Sequence, residues 1–316
     1  MGFWPTGLIT MSLSFTEPLG GTNTNDYDLR MRIAFLTTLT MFAFAANSLL
    51  TRAAVDGGHM DPAGFAVLRV LSGAVVLASI LAMRGGGVPL LRRERLPGAI
   101  SLAVYMMAFS LAYLTLDAGL GALILFGVVQ ISMFSYAALL GETPTPRQIV
   151  GAVIAFLGLL LALWPGPGGL ADPVGAGLMV AAGVGWAIYT IVGRRASDPL
   201  AATGANFILC LPMVALLLGL VDFSATVQGV ALAVLCGGVT SGLGYALWYS
   251  ILPKITGATA AIVQLSVPVI AILAGAVFLG EELPLIVIVS ATLVVGGIAW
   301  GVTAPRVQRT KGSRGS

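Results

Sequence analysis

The chain has 316 residues, of which 58% are hydrophobic and 9% are charged, whereas soluble domains are about 45–50% apolar and about 25% charged. Sixteen Lys and Arg against thirteen Asp and Glu leave a net charge of +3. These basic residues form no patch interleaved with aromatics, which argues against a nucleic-acid partner. The two cysteines, Cys210 and Cys236, fall in apolar stretches. We expect them to be small buried side chains, with no disulfide, metal or other cofactor.

Ten apolar stretches follow an N-terminal segment, residues 1–31, that we expect to be a cytoplasmic tail. This segment lacks the basic region and long apolar core of a signal peptide. A helix that crosses a bilayer needs about 20 mostly apolar residues. The predicted spans are 32–52, 63–83, 97–116, 119–140, 147–164, 174–193, 200–220, 227–250, 257–279 and 284–302. The sequence thus predicts an all-α membrane protein with ten transmembrane helices, ending in a second cytoplasmic tail, residues 304–316.

The placement of the basic residues predicts the orientation of these spans. If the N-terminus is cytoplasmic, fourteen of the sixteen Lys and Arg lie in cytoplasmic segments. Of the other two, Arg52 lies at the opposite end of span one and Arg69 lies within span two. Cytoplasmic loops carry the excess of Lys and Arg in membrane proteins. We therefore expect both termini in the cytoplasm and the chain in the inner (plasma) membrane.

The second five spans repeat the first five. Asp61-Pro62 opens span two and Asp198-Pro199 opens span seven, while Gly141-Glu142 closes span four and Gly280-Glu281 closes span nine. Five spans in each half turn the second half upside down, and such inverted repeats are typical of secondary transporters whose site lies where the halves meet. We therefore predict two inverted five-helix repeats around a central cavity. The predicted repeats cover residues 32–165 and 173–303.

With these features the chain resembles the drug/metabolite transporter superfamily, and within it the EamA-type transporters. The stretch from Thr256 to Glu281, with Pro268 near its centre, is similar to the family's span-nine pattern. The first half carries the same run but has Val129 in place of the proline. Size and spacing also resemble the YddG-like aromatic amino-acid exporters. The resemblance implies a carrier of small metabolites, often one that exports amino acids. Pro268 is the predicted hinge, because proline removes a backbone hydrogen bond within a helix.

Polar side chains inside the spans are candidate site residues, because lipid makes them costly. The neutral candidates are Asn47, Gln130 and Gln264, although hydrogen bonding between helices is at least as good an explanation for each. Every acidic residue lies at a span end, in a loop or in a tail. We therefore expect no proton relay, and transport that runs as facilitated diffusion or exchange.

Arg69 is the one charge well inside a span. A guanidinium can clamp a carboxylate or a phosphate through its planar fork. It can also snorkel to the membrane surface or pair with carbonyls at a helix end. Arg69 lies about two turns into span two, within snorkelling reach. The structural interpretation is favoured over a role in binding, because the family resemblance implies that span two lies away from the central cavity.

Aromatic residues are predicted to form three surfaces on spans three, six and eight. Their members are Tyr105, Phe109 and Tyr113; Trp186 and Tyr189; and Tyr245, Trp248 and Tyr249. For Tyr113 and Tyr249, near span ends, packing or interfacial anchoring is the favoured interpretation. The substrate-binding candidates are Tyr105, Phe109, Trp186, Tyr189 and Tyr245. An aromatic cavity with a few polar groups suits an apolar or aromatic solute that has a polar head.

The predicted function is a secondary carrier that exports aromatic or hydrophobic amino acids from the cytoplasm by alternating access. Its predicted partners are a small-molecule substrate and the lipid bilayer, and we expect it to work as a monomer. Export of other metabolites or drugs, or a nucleotide-sugar-type carrier, are the alternatives, as are a channel and a structural membrane bundle. A nucleotide-sugar carrier would need basic residues for a diphosphate, and Arg69 is the one available within a span. We expect no enzyme, because no catalytic motif can be assembled from a chain with one histidine.

Overall fold

A computed structural model describes residues 24–90, 93–139, 145–162, 172–193, 196–219, 222–255, 260 and 263–302. Within these ranges the chain is helical, and β-structure is limited to an isolated bridge between Met60 and Ala225. The all-α class is therefore confirmed. The helices are α1 Thr24–Val55, α2 Pro62–Met83, α3 Leu96–Ala112, α4 Ala118–Leu139, α5 Pro146–Ala162, α6 Pro173–Gly193, α7 Pro199–Ala215, α8 Val227–Lys254, α9 Ser266–Leu279 and α10 Leu285–Val302.

Among the described residues, seven helices are long and apolar enough to cross a membrane, namely α1 to α4 and α6 to α8. The helices α5, α9 and α10 are apolar but shorter, so the count of ten spans stays a prediction. Each predicted span overlaps one of these helices. One clear difference is at α1, which begins at Thr24 rather than near residue 32. Residues 28–32 are exposed, and hydropathy cannot locate helical turns that lie outside the apolar core.

Two helices begin in the same way at equivalent places in the two halves. Asp61 accepts a hydrogen bond from the backbone N–H of Gly64 at 2.8 Å, and Pro62 follows as the first residue of α2. Asp198 accepts one from Ala201 at 3.1 Å before α7, which begins at a proline. An acidic cap satisfies a backbone donor that the helix leaves unpaired, and proline at the first position removes no hydrogen bond. The repeated Asp-Pro pair therefore specifies both helix starts.

All ten helices contribute side chains to the buried core. The most extensive helix contacts join α5 to α10, α3 to α6, α2 to both α7 and α8, α1 to α8, and α4 to α6. The largest fully buried side chains include Arg69, Tyr113, Tyr189 and Tyr245. Polar and aromatic groups are thus concentrated inside the bundle rather than at its rim.

A π-helical segment in α8, Leu235–Leu243, brings this helix against α2. Gly237 in this segment faces the carbonyl oxygen of Arg69 and the hydroxyl of Ser72 so closely that a side chain would not fit. Small residues allow this kind of approach between membrane helices. Short π-helical segments are rare and are frequent at functional sites.

The α-helical assignment is interrupted at Leu265, just before α9 and three residues before Pro268, although the backbone angles of Leu265 stay in the helical region. Proline has no N–H to bond the carbonyl of Gln264, four residues earlier, and its ring crowds that carbonyl. The interruption thus lies where proline chemistry predicts one. Whether Pro268 acts as a hinge stays a prediction.

Candidate functional site

A small cavity lies between α1, α3, α4, α6 and α8. It is lined by Phe44, Asn47, Ser48, Tyr105, Phe109, Leu125, Phe126, Trp186 and Tyr245. About 10 Å³ is open to the centre of a water molecule, which is space for about one water. Five of the eight predicted binding residues therefore meet at one cavity. They are Asn47, Tyr105, Phe109, Trp186 and Tyr245.

Aromatic rings form most of the cavity wall. Trp186 lies at the centre, with ring centroids 5.0 Å from both Tyr105 and Tyr245. Phe44, which the sequence did not single out, stands edge-on to Trp186 and Tyr245 at 6.1 and 5.8 Å. Tilted and edge-to-face arrangements at these distances are the favourable ones for aromatic pairs. The positions of Tyr105, Trp186 and Tyr245 near the middle of three predicted spans thus indicated correctly that their rings lie together.

The expectation that Arg69 snorkels is wrong. Its side chain is fully buried, because the π-helical segment of α8 covers it. Nε donates to the hydroxyl of Ser241 at 3.0 Å, and Nη2 donates to Asn47 Oδ1 and to the Tyr105 hydroxyl, both at 3.1 Å. The guanidinium carbon also lies 4.9 Å from the ring centre of Phe109. Arg69 therefore lies directly behind the cavity wall and holds two of its lining side chains.

Arg69 has no anionic partner in the described part of the chain. The carboxylates of Asp56, Asp117 and Glu281 pair with Arg52 instead. The Nη1 atom of Arg69 is buried and has no hydrogen-bond acceptor among the described residues. A buried charge is costly unless it is paired and hydrogen-bonded. The site therefore holds a positive charge that an incoming anion can compensate.

Asn47 joins α1 to α8 as well as to α2. Its side-chain oxygen accepts from the hydroxyls of Thr240 and Ser241 at 2.7 and 3.0 Å, and the Cys236 thiol lies 3.3 Å away. A guanidinium can only donate hydrogen bonds, so the amide oxygen is the atom that faces Arg69. Sequence reasoning missed these three α8 residues. The Gly238-x-x-x-Gly242 spacing indicates a close helix contact there, but not which side chains meet.

Three predicted candidates lie away from the cavity. Tyr189 packs behind Trp186, with ring centroids 5.6 Å apart. Gln130 is half-buried on α4 and is outside the cavity lining. Gln264 donates to the carbonyl of Ala260, four residues earlier, at 3.1 Å. A role of these three residues in substrate binding stays a prediction.

A second polar cluster lies where α1 ends and α4 begins; we call Arg52, Asp117 and Glu281 the closing cluster. Arg52 contacts Asp117 Oδ1 at 3.3 Å and Glu281 Oε1 at 4.0 Å. Glu281 also accepts hydrogen bonds from the backbone N–H groups of Ala118 and Gly119, at 2.6 and 3.3 Å. Burial raises the pKa of Glu281 above its ordinary value. These contacts tie the segment that follows α9 to the ends of α1 and α4.

Comparison with known proteins gives the following matches. The model of the EamA-like transporter family matches the chain twice, over residues 31–164 and 173–303. An uncharacterized protein of Pseudomonas aeruginosa is 44% identical over 289 residues, which is 88% of this chain and 96% of that protein. A probable amino-acid metabolite efflux pump of Salmonella typhimurium is 24% identical over 296 residues, covering 87% and 96%. A probable terminal-alkyne amino-acid exporter of Streptantibioticus cattleyicolor is 26% identical over 277 residues, covering 82% and 90%.

Proposed function

We propose that this chain, which belongs to the EamA-like transporter family, is a secondary carrier that exports amino acids and similar small organic solutes. The family is one of transporters, and two relatives are named for efflux of amino acids or their derivatives. The observation that carries the proposal is the cavity itself. Rings of Trp186 and Tyr245 offer an apolar solute contact area, while Asn47, Tyr105 and the charge of Arg69 behind them suit a polar head.

Two inverted repeats around this cavity are part of the proposal. The family description matches each half separately. The contacts of α2 with α7, α4 with α9 and α5 with α10 join helices five places apart, which supports a repeat of five helices. Asn206 is eight residues after Asp198, as Arg69 is eight residues after Asp61, and it lies beside Tyr189, just as Arg69 lies beside Asn47. These equivalences support a common arrangement in the two halves.

The size of the cavity supports alternating access. Space for about one water cannot hold an amino acid, so a carrier with this cavity must open to take up its solute. The distribution of basic residues predicts that the closing cluster is extracellular. A solute would then enter from the cytoplasm and leave after the contacts of Arg52 and Glu281 separate.

We propose facilitated diffusion or exchange rather than proton coupling. No Asp, Glu or His is among the described residues that line the cavity, and a proton relay normally uses such groups. We also propose that the protein works as a monomer in the inner membrane. Other metabolites and drugs remain alternative solutes, whereas the diphosphate of a nucleotide sugar would need more cationic side chains than Arg69 alone.

Counterflow in proteoliposomes tests this function. Vesicles that contain the protein and an unlabelled solute should accumulate the labelled solute transiently, across a panel of amino acids and other metabolites. Uptake no greater than in protein-free vesicles for every solute of the panel would contradict the proposal.

A further inference from the structure

We propose that the site recognises the carboxylate of its solute, that Arg69 supplies the charge for this recognition through Tyr105, and that an ammonium group on the solute is dispensable. The inference rests on the proposed function and narrows its substrate class. The class is monocarboxylates that carry an apolar or aromatic group, with amino acids as one subset.

The charge of Arg69 reaches the cavity through the side chains that it holds. Its Nη2 atom lies 3.1 Å from both Asn47 Oδ1 and the Tyr105 hydroxyl, and both of these residues line the cavity. The Tyr105 oxygen accepts from the guanidinium, which leaves the hydroxyl's own hydrogen for an acceptor. A hydroxyl that accepts from a cation becomes a stronger donor, because hydrogen bonds in a chain polarise one another.

The other polar groups of the cavity are also donors. The indole N–H of Trp186 is buried and has no hydrogen-bond partner among the described residues. The buried hydroxyl of Tyr245 lies near that of Tyr105 but makes no hydrogen bond of standard geometry with a described residue. The indole nitrogen can only donate. Asn47 Oδ1 already accepts hydrogen bonds from Arg69, Thr240 and Ser241. The hydroxyls of Ser48, Tyr105 and Tyr245 can accept as well as donate, but no carboxylate is among the described lining residues. The cavity is therefore richer in hydrogen-bond donors than in free acceptors.

A carboxylate matches this arrangement and an ammonium does not. An ionised carboxylate accepts several hydrogen bonds and donates none, whereas an ammonium donates three and accepts none. No Asp or Glu is among the described lining residues that could pair with an ammonium, and the charge of Arg69 repels a second cation. The faces of Trp186 and Tyr245 can attract a cation, but they attract apolar groups equally well.

Binding to the purified wild-type protein tests the inference without requiring transport. Four matched probes are L-phenylalanine, 3-phenylpropionate (no amino group), 2-phenylethylamine (no carboxylate) and L-phenylalaninamide (neutral amide instead of the carboxylate). Thermal stabilisation gives a dissociation constant for each. We expect 3-phenylpropionate to bind within about threefold of L-phenylalanine, and both probes without a carboxylate to bind at least about tenfold more weakly, as expected for loss of a charged hydrogen bond.

Variants of the protein then identify the side chains that recognise the carboxylate. Arg69→Gln and Tyr105→Phe should each reduce the preference for 3-phenylpropionate over 2-phenylethylamine to less than about threefold, and Arg69→Lys should retain part of it. The matched control is Arg84→Gln, which makes the same change at an exposed residue that ends the same helix and should leave the preference intact.

The outcomes separate this inference from the proposed function. If 2-phenylethylamine binds wild type as tightly as L-phenylalanine, or if none of the four probes binds, the inference is wrong. If the probes bind with the expected preference but no solute is carried in proteoliposomes, the carrier function is wrong and carboxylate recognition stands. If amines are carried as well as carboxylates, the carrier function stands and the inference is wrong.

Discussion

Asn47 on α1 accepts a hydrogen bond from Arg69 on α2, with 3.1 Å between Oδ1 and Nη2, inside a part of the bundle where both side chains are buried. The pair joins a neutral amide to a cation that lacks an anionic partner among the described residues. Hydrogen bonds between membrane helices typically contribute about 0.6 kcal/mol, which is too little to explain a buried guanidinium by helix packing alone. The pair therefore supports the proposed recognition of an anionic group at this site.

Asn47→Asp should place a permanent anion against Arg69. The new carboxylate would compete with that of the solute, so we expect transport of carboxylate solutes to fall by at least about tenfold, since hydrogen bonds to charged groups are the strong ones. Counterflow of L-phenylalanine measures the loss, and thermal unfolding checks that the variant remains folded. The control is Asn206→Asp in the equivalent region of the second half, which lies near Tyr189 rather than near Arg69. Wild-type counterflow in Asn47→Asp would show that the cation is not part of the site.

Hydropathy and helical periodicity predict much of this architecture from the sequence. Lipid requires long apolar helices, so the positions of the spans could be predicted. Depth within a span, together with the 3.6-residue period, predicted that Tyr105, Trp186 and Tyr245 line one cavity. The surroundings of Arg69 could not be predicted in this way. Its partner Ser241 is 172 residues away and lies on a π-helical segment that no local pattern specifies. Distance to the membrane surface shows that an arginine could snorkel, but not that another helix covers it.

The amides show a similar limit. Asn47 bonds across three helices, whereas Gln264 bonds a carbonyl of its own chain four residues earlier. Either solution satisfies an amide in a membrane helix, and residue type does not distinguish between them. The role of Glu281 was also missed, although the repeated Gly-Glu pair marked its position.

Replacing Trp186 by Ala should weaken transport of large apolar solutes more than of small ones. Its ring contacts Phe44, Tyr105 and Tyr245 at the cavity, and an aromatic contact is worth about 1 kcal/mol beyond the area that it buries. We expect the KM for L-phenylalanine to rise about fivefold, with a smaller change for L-alanine. Trp300→Ala is the control, because Trp300 is 55% exposed and is outside the cavity lining. Equal changes for both solutes would mean that the ring only packs.

Low pH should favour closure at the closing cluster. Burial raises the pKa of Glu281 in the closed structure. The closed conformation therefore binds a proton at Glu281 more tightly than an open conformation in which water reaches the carboxyl group. The stabilisation is present below the ordinary pKa of a glutamate and is lost as the pH rises through the raised value. A cysteine in place of Ser48, in the cavity lining, should therefore react more slowly with an extracellular maleimide as the pH falls.

Two controls isolate this effect from the titration of the thiol itself. At each pH, the maleimide reaction rate of Ser48→Cys is divided by that of Asp222→Cys, an exposed loop position. Glu281→Gln should then make the ratio independent of pH. A ratio that rises as the pH falls would contradict the assigned direction.

Orientation can be tested with single introduced cysteines. We expect Asp222→Cys to react with a membrane-impermeant maleimide added outside the cell, and Gly87→Cys to react only after the membrane is permeabilised, because the distribution of basic residues predicts a cytoplasmic loop after α2. Both positions are exposed, so burial does not decide the result. The reverse labelling would invert the proposed direction of export.

Counterflow of labelled L-phenylalanine into proteoliposomes tests the central claim most directly. The vesicles are loaded with unlabelled L-phenylalanine, 3-phenylpropionate or 2-phenylethylamine and otherwise kept at equal pH inside and out. The account predicts transient accumulation of label with the two carboxylate loads and almost none with the amine. Accumulation driven by 2-phenylethylamine but not by 3-phenylpropionate, or no accumulation with any load, would contradict it.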